Sequence, residues 1–258
     1  MKKVLVYMLP ALILLLWSGA ARAEDASTDP GHLFAKGNSL YERRDYEKAL
    51  DEYKKVLDRG VESGPLYYNI GNAYFKLGKI GYAILYYKKA LRLTPADSDL
   101  KSNLGYAQSL TEDSALTAQG VNRFAWLVRI PFKEFTLNGV ARILASAYIA
   151  LAVMLIGGII NRVFARRVTL IFYPVLMLFM LTLAAFVMRY YDEEVLTRAV
   201  VVTDSAECRY EPIDKSNVYF SLKKGQEISV LKSRNGWSRI KRLDGKLGWV
   251  KSDTVEEE

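Results

Sequence analysis

The chain has 258 residues, a formal net charge of +8 and a mean hydropathy of +0.02, values that by themselves fit a basic soluble protein. The charge is unevenly distributed, because residues 1–23 carry three basic and no acidic residues and residues 121–191 carry eight basic and one acidic. Segments 24–120 and 192–258 are each negative by one charge. The basic excess therefore flanks apolar sequence, which argues against a nucleic-acid-binding protein.

Residues 1–23 have the three parts of a secretory signal peptide. Met1-Lys2-Lys3 opens the chain, an apolar stretch runs from Val4 to Trp17, and Ala21-Arg22-Ala23 supplies the small residues of a cleavage site. The apolar stretch is short for a membrane span. We expect a signal peptide that directs export, with an uncleaved anchor helix as the alternative.

Residues 24–120 contain an internal repeat with an offset of 34 residues. Gly37, Gly71 and Gly105 fall in register at this offset, and so do Tyr53 and Tyr87. Apolar positions within each repeat recur with the spacing of one helix face. The pattern predicts an array of two-helix units over 31–64 and 65–98, followed by a cap helix over 99–110. Asp45 is the expected cap of one helix, and Thr94-Pro95 is expected to end the second repeat.

This array resembles the tetratricopeptide repeat family. The positions that carry the resemblance in residues 65–95 are Tyr67, Ile70, Gly71, Tyr74, Ala83, Tyr87, Ala90 and Pro95. Residues 31–61 match less fully, because Lys36 and Val61 replace the usual Leu and Pro. The resemblance implies a protein-binding platform whose concave face is formed by the first helix of each repeat.

The same resemblance assigns the groove-facing residues of the array. They are Phe34, Asn38, Tyr41, Tyr68, Asn72, Phe75, Lys76 and Tyr106. Amide side chains of Asn38 and Asn72 are expected to bond an extended peptide backbone. The alternative is that these polar residues only solvate a small array or contact other parts of the same chain.

Residues 121–139 interleave aromatic and basic residues, which is typical of a segment in the membrane interface. Residues 140–160 and 168–188 are long and apolar enough for two transmembrane helices. The connector 161–167 carries three Arg and is expected to be a short loop. A hairpin would place both soluble domains on one side of the membrane, and the signal peptide favours the periplasmic side of a bacterial inner membrane.

Residues 195–258 are predicted to form a small all-β barrel. Five short strands are expected at 199–203, 206–210, 226–232, 237–243 and 247–251, with turns at Asn235-Gly236 and Asp244-Gly245. The motifs Gly236-Trp237 and Gly248-Trp249-Val250 make this segment resemble bacterial SH3-like domains. The resemblance implies binding of cell-wall peptides or proteins, with Trp237 and Trp249 on the binding face. Core packing of at least one tryptophan is the alternative.

The inventory for catalysis is thin. The chain has one histidine, His32, and one cysteine, Cys208, so a Cys–His pair, a histidine zinc site and an intrachain disulfide have no support. Cys208 lies on an apolar strand and is expected to be a buried thiol. We therefore expect no enzyme activity, no cofactor and no metal.

Taken together, the parts describe a multi-domain membrane protein with an all-α tetratricopeptide repeat array, a two-helix transmembrane hairpin and an all-β SH3-like barrel. This order resembles the BatE-like tetratricopeptide components of bacterial aerotolerance (Bat) operons. That resemblance implies an envelope stress or aerotolerance scaffold that works with von Willebrand A-domain Bat proteins and a MoxR-type ATPase. The alternative function is a cell-wall sensor whose SH3-like domain binds peptidoglycan peptides.

Overall fold

A computed structural model describes residues 29–111, 128, 130–160, 162–191 and 197–258. The expected signal peptide, 1–23, lies outside the described residues, as do residues 112–127 of the array and the interfacial segment. The chain divides into two compact units, Met1–Val61 and Glu62–Glu258, and each is described by itself.

The first unit is a helical hairpin of α1 (Pro30–Glu42) and α2 (Tyr46–Leu57). Helix α1 begins where the Asp29 carboxylate accepts a bond from the His32 amide at 3.1 Å. The tight turn places Arg44 in the left-handed region, with φ of 64°. Asp45 occupies the expected cap position of α2, but its carboxylate pairs with Lys48 at 2.6 Å and makes no side-chain cap bond.

The second unit opens with three helices, α3 (Gly64–Lys76), α4 (Ile80–Leu93) and α5 (Ser98–Ser109). Ser63 and Asp97 cap α3 and α5 by accepting backbone bonds from Leu66 at 3.3 Å and Leu100 at 2.9 Å. These caps satisfy amides that the first turn of a helix leaves without a partner. Helix α4 is the central helix of the three and buries residues along most of its length.

Two long apolar helices follow, α6 (Leu137–Ile160) and α7 (Arg162–Tyr190), and they pack as a hairpin. Most of the expected loop at 161–167 is helical, since α7 already begins at Arg162. The sequence there offers no Gly or Pro to stop a helix, which explains the difference. At the open end of the hairpin, Val128 and Phe132 pack with Val140 and Ala185.

Seven strands make up the described part of the C-terminal module. They form one antiparallel sheet in the order β3-β2-β6-β5-β4-β1-β7. The strands are β1 (Thr197–Val201), β2 (Ser205–Arg209), β3 (Val218–Lys223), β4 (Glu227–Arg234), β5 (Trp237–Arg242), β6 (Leu247–Lys251) and β7 (Val255–Glu257).

The expectation of five strands was wrong, because it omitted β3 and β7. Strand β7 has only three residues and is a strand because it pairs with β1, which no local pattern signals. The expected turns are confirmed: Asn235 and Gly236 both have positive φ, 51° and 76°, as a two-residue hairpin between β4 and β5 requires.

The sheet packs against α4 through small residues. A Cβ on Gly81 would lie 2.8 Å from the Val201 carbonyl oxygen, so the helix approaches the end of β1 at backbone distance. Gly225 similarly makes room for Ile84 of the helix, whose Cδ1 would lie 2.5 Å from an added Cβ. Lys88, further along α4, pairs with Glu227 at 2.7 Å and Glu258 at 3.1 Å.

Candidate functional site

The same contact is built in each repeat around a glycine and a tyrosine. In the first, a Cβ on Gly37 would meet the Tyr53 ring at 2.4 Å, and the Tyr53 hydroxyl donates to Asn38 Oδ1 at 2.8 Å. In the second, Gly71 holds the same position against Tyr87 at 2.6 Å, and Tyr87 donates to Asn72 at 2.7 Å. The 34-residue spacing in the sequence therefore corresponds to a packing contact between a glycine and a tyrosine that occurs once in each repeat.

These bonds give the two asparagines a role that the groove assignment did not include. Each Oδ1 atom is used within its own repeat, where it satisfies a tyrosine hydroxyl whose ring is buried. For Asn72, the part of the side chain that a peptide carbonyl would meet is therefore the Nδ2 group.

In the second unit, the groove-facing positions lie on α3 and α5. The Phe75 and Tyr106 rings pair with centroids 5.7 Å apart, and Asn103 Nδ2 donates to the Tyr68 hydroxyl at 2.6 Å. Tyr106 is 59% exposed and Lys76 is exposed, whereas Tyr68, Asn72 and Phe75 are half-buried. This surface, formed by Tyr68, Asn72, Phe75, Lys76, Asn103 and Tyr106, is called the α3/α5 face below.

Asn103 was missed in the sequence assignment. The sequence does indicate Asn103, because it lies three residues before Tyr106 and side chains three residues apart lie on the same face of a helix. It was overlooked because no other repeat in the chain has an assigned groove residue at the matching position.

In the first unit, the three assigned residues, Phe34, Asn38 and Tyr41, lie half-buried on α1. Phe34 packs beside Tyr53 with ring centroids 5.9 Å apart, and Tyr41 meets Tyr46 edge-on at 5.1 Å. Each of these side chains therefore has a packing contact with α2 within the hairpin.

The two assigned tryptophans lie on the outer face of β5 and β6. In the register of these strands, Trp237 opposes Lys251 and Arg239 opposes Trp249, while the alternate residues Ile240 and Val250 are fully buried. Trp237 is 8% exposed and Trp249 is half-buried. Ammonium groups lie over both rings, Lys251 at 5.9 Å from Trp237 and Lys232 at 5.5 Å from Trp249. Trp237 is therefore a buried side chain, whereas Trp249 together with Lys232, Arg239 and Lys251 forms a cationic and aromatic surface.

Cys208 is a free thiol at the centre of the sheet's core, which confirms the expected buried cysteine. Burial raises the pKa of the Cys208 thiol to about 12. Within the residues that the structure describes, no group of three His, Cys, Asp or Glu side chains is placed to hold a metal ion.

We predict that a thiol reagent labels Cys208 only when the C-terminal module opens, because the reactive species is the thiolate. The pKa of this thiol is higher in the folded protein than in the unfolded chain. The stability contributed by the protonated thiol is therefore complete below pH 9 and is lost as pH rises towards 12. Labelling rates measured with and without denaturant at neutral pH test the burial. Rapid labelling of the native protein would contradict it.

Comparisons with known proteins agree with two of the parts. A tetratricopeptide repeat family model matches residues 65–97, and a bacterial SH3 domain model matches residues 204–256. No curated protein matches the chain.

Among solved structures, the chain is similar to the TPR2AB-domain:pHSP90 complex of yeast Sti1, with 25% identity, a TM-score of 0.31 and coverage of 42% of this chain. It spans only 44% of that chain. YrrB, described as a TPR protein with an unusual peptide-binding site, is 20% identical with a TM-score of 0.33, over 62% of this chain and 75% of that one. The two family models establish that it carries a tetratricopeptide repeat and a bacterial SH3 domain.

Proposed function

We propose that the protein is a non-enzymatic, membrane-anchored adaptor that binds an extended peptide or protein segment on its tetratricopeptide repeats. The observation that carries this proposal is the α3/α5 face, where aromatic rings and amide groups from two helices stand side by side. Such a face offers apolar area together with donors and acceptors for a peptide backbone. Tetratricopeptide and SH3-like domains are typically interaction modules and not catalysts.

Membrane anchoring is supported by the surface of the two apolar helices. Only 11% of the most apolar 18-residue window of each is buried, and each window has a mean hydropathy of 2.5. A core helix of a soluble protein would be covered by its neighbours, whereas Ile159 and Leu170 are 84% and 85% exposed. A continuous apolar surface of this kind is stable in lipid and unfavourable in water.

Replacing Asn72 with Ala should weaken peptide or partner binding more than replacing Tyr87 with Phe. Both changes remove the hydrogen bond between these residues, but only Asn72→Ala removes the Nδ2 group from the α3/α5 face. We expect the loss of one such bond to lower affinity about tenfold relative to Tyr87→Phe. The measurement is in vivo crosslinking of full-length variants followed by quantification of the recovered partners.

Recovery from Asn72→Ala at the wild-type level would contradict the role of Asn72 in binding. If Tyr87→Phe reduces partner recovery as much as Asn72→Ala does, the hydrogen bond between the two residues serves only the packing of the repeat. Asn38→Ala, compared with Tyr53→Phe, is the same test for the first repeat.

At a finer level, we propose a scaffold within a Bat-type envelope stress or aerotolerance complex at a bacterial inner membrane, with both soluble domains in the periplasm. The proposal rests on the order of domains. It is tested by fusing alkaline phosphatase after residue 120 and after residue 258, where activity at both positions is expected. Partner lists that contain von Willebrand A-domain proteins and a MoxR-type ATPase would support the complex, and lists without either would reject it.

A second candidate function is favoured by the cationic and aromatic surface of the C-terminal module. Trp237 and Trp249 stand between Lys232, Arg239 and Lys251 on one sheet face. In a cell-wall sensor this face would bind peptidoglycan. The full-length protein should then sediment with purified sacculi, and Trp249→Ala should abolish sedimentation while Asn72→Ala leaves it unchanged.

A further inference from the structure

The outer face of strands β4, β5 and β6 carries five basic side chains. Residues two apart on a strand lie on one face of the sheet, and the residues opposite them on the next strand share that face. Ile240 and Val250 are fully buried, so the alternate positions of β5 and β6 form the outer face. The basic residues of this face are Lys232, Arg234, Arg239, Lys241 and Lys251.

Most of this charge has no carboxylate partner. Lys251 pairs with Asp214 at 3.0 Å, whereas the other four cations form no ion pair within the part of the chain that the structure describes. Arg239 and Lys241 lie on β5, which is separated from β1 by β4. They are therefore not neighbours of the strand that follows the acidic residues 192–194.

The strand register brings like charges together. Lys232 on β4 is directly opposite Arg239 on β5, and Lys241 lies two residues from Arg239 on the same face. Lys232 and Lys241 are exposed, and Arg239 is half-buried between them. Like charges in directly opposed positions destabilise a sheet. An anion that binds among these three side chains would remove this repulsion and stabilise the module.

The tryptophans of this face are poorly placed to stack on a sugar ring. Trp237 is 8% exposed, and the Lys251 ammonium lies 5.9 Å from the centre of its ring. Trp249 is half-buried, with the Lys232 ammonium 5.5 Å from its ring centre. Because a cation already occupies a face of each ring, the groups open to a ligand are mainly the charged ones.

These charged groups suit a carboxylate that stands beside small apolar groups. The guanidinium of Arg239 has paired N–H donors that match the two oxygens of a carboxylate. Exposed apolar side chains border the cations, since Leu247 is opposite Lys241 and is 42% exposed. Leu231, next to Lys232 in sequence, is 49% exposed. The face thus combines cations with apolar area.

We propose that this face binds the carboxylate groups of peptidoglycan stem peptides, in which carboxylates stand beside the methyl groups of alanine. The proposal rests on the cell-wall sensor function described above and names the chemical group that the sensor recognises. Arg239 binds one carboxylate through paired hydrogen bonds, and Lys232 and Lys241 neutralise the neighbouring negative charge. Leu247 contacts the methyl groups.

The test is calorimetric titration of the full-length protein in detergent with the soluble tetrapeptide L-Ala-D-Glu-diaminopimelate-D-Ala, and with the same peptide after amidation of its carboxyl groups. We expect the wild type to bind the amidated peptide about tenfold more weakly. The double variant Lys232→Gln/Arg239→Gln should lower affinity for the unmodified peptide about tenfold, the effect of losing two charge contacts near solvent. The matched control, Arg43→Gln/Lys79→Gln, removes the same two residue types from exposed positions of the repeats and should keep the wild-type affinity.

Hydrogen exchange of β4 and β5 separates a loss of binding from a loss of structure. Exchange in the double variant should not accelerate, because the substitutions remove the repulsion between opposed cations. The single variant Lys241→Gln changes an exposed side chain and should lower affinity about threefold. Wild-type affinity in both face variants, or an equal loss in the control variant, overturns the proposal.

Two further results decide the class of ligand. Oligoglutamate that competes at the same carboxylate concentration as the tetrapeptide would identify a surface for acidic polypeptides and overturns the proposal. Failure of the wild type to sediment with sacculi rejects the sensor function and the carboxylate site together. Sedimentation with equal affinity for the amidated and unmodified peptides rejects only the carboxylate site.

Discussion

Replacing Gly71 with Ala should destabilise the second repeat by about 2 kcal/mol, although Ala is the better helix former. The added Cβ would lie 2.6 Å from the Tyr87 ring, which is 2% exposed and is fixed at its hydroxyl by Asn72. The ring therefore has little room to move, and α3 and α4 must separate. Native-state hydrogen exchange of α3 and α4 in the full-length protein measures the effect, because one melting temperature is not well defined for a multi-domain chain.

Gly105 supplies the matched control, since it holds the same register position 34 residues later. Apart from its chain neighbours and the backbone of its own helix, no heavy atom of the described residues lies within 4 Å of its Cβ position, and Gly105 is exposed. Gly105→Ala should therefore stabilise α5 by about 0.5–1 kcal/mol through helix propensity. If both variants change exchange in the same direction, the contact between Gly71 and Tyr87 does not determine the spacing of the helices.

The comparison of these glycines shows what the repeat pattern could predict. The offset identified Gly37, Gly71 and Gly105 as equivalent, and the structure gives the first two a tyrosine partner. A pattern of residue types records that a small residue recurs, but not whether a neighbouring ring fills the space. In the same way, the groove assignment located Asn72 on the correct helix and could not reveal that its Oδ1 is bonded to Tyr87.

Local signals also predicted most of the C-terminal module, and the failures there have a common cause. Asn235-Gly236 marks its hairpin because the turn needs two residues with positive φ. Strand β7, in contrast, exists through its pairing of Val255 with Val201, which are distant in sequence. The contact of the sheet with α4 is likewise absent from any local pattern, since Gly81 and Gly225 contribute to it from separate domains.

That contact leads to the second large effect, which is expected for Lys88→Ala. The Lys88 side chain is 12% exposed and pairs with Glu227 and Glu258, which are 24% and 16% exposed. Removing the ammonium leaves two largely buried carboxylates near each other without their common partner. We expect the packing of α4 against the sheet to lose about 2–3 kcal/mol, less than for a fully buried pair because the glutamates keep some contact with solvent.

Hydrogen exchange of α4 and β1 in the full-length protein should then accelerate roughly 30- to 150-fold. Lys54→Ala is the matched control, because Lys54 holds the equivalent position of the first repeat and is exposed. It should leave exchange in α4 and β1 unchanged. Unchanged exchange in Lys88→Ala would mean that the close packing at Gly81 and Gly225 keeps the sheet against α4 without the ion pair. Acceleration confined to Lys88→Ala would show that this ion pair stabilises the packing of α4 against the sheet, in addition to the close contacts at Gly81 and Gly225.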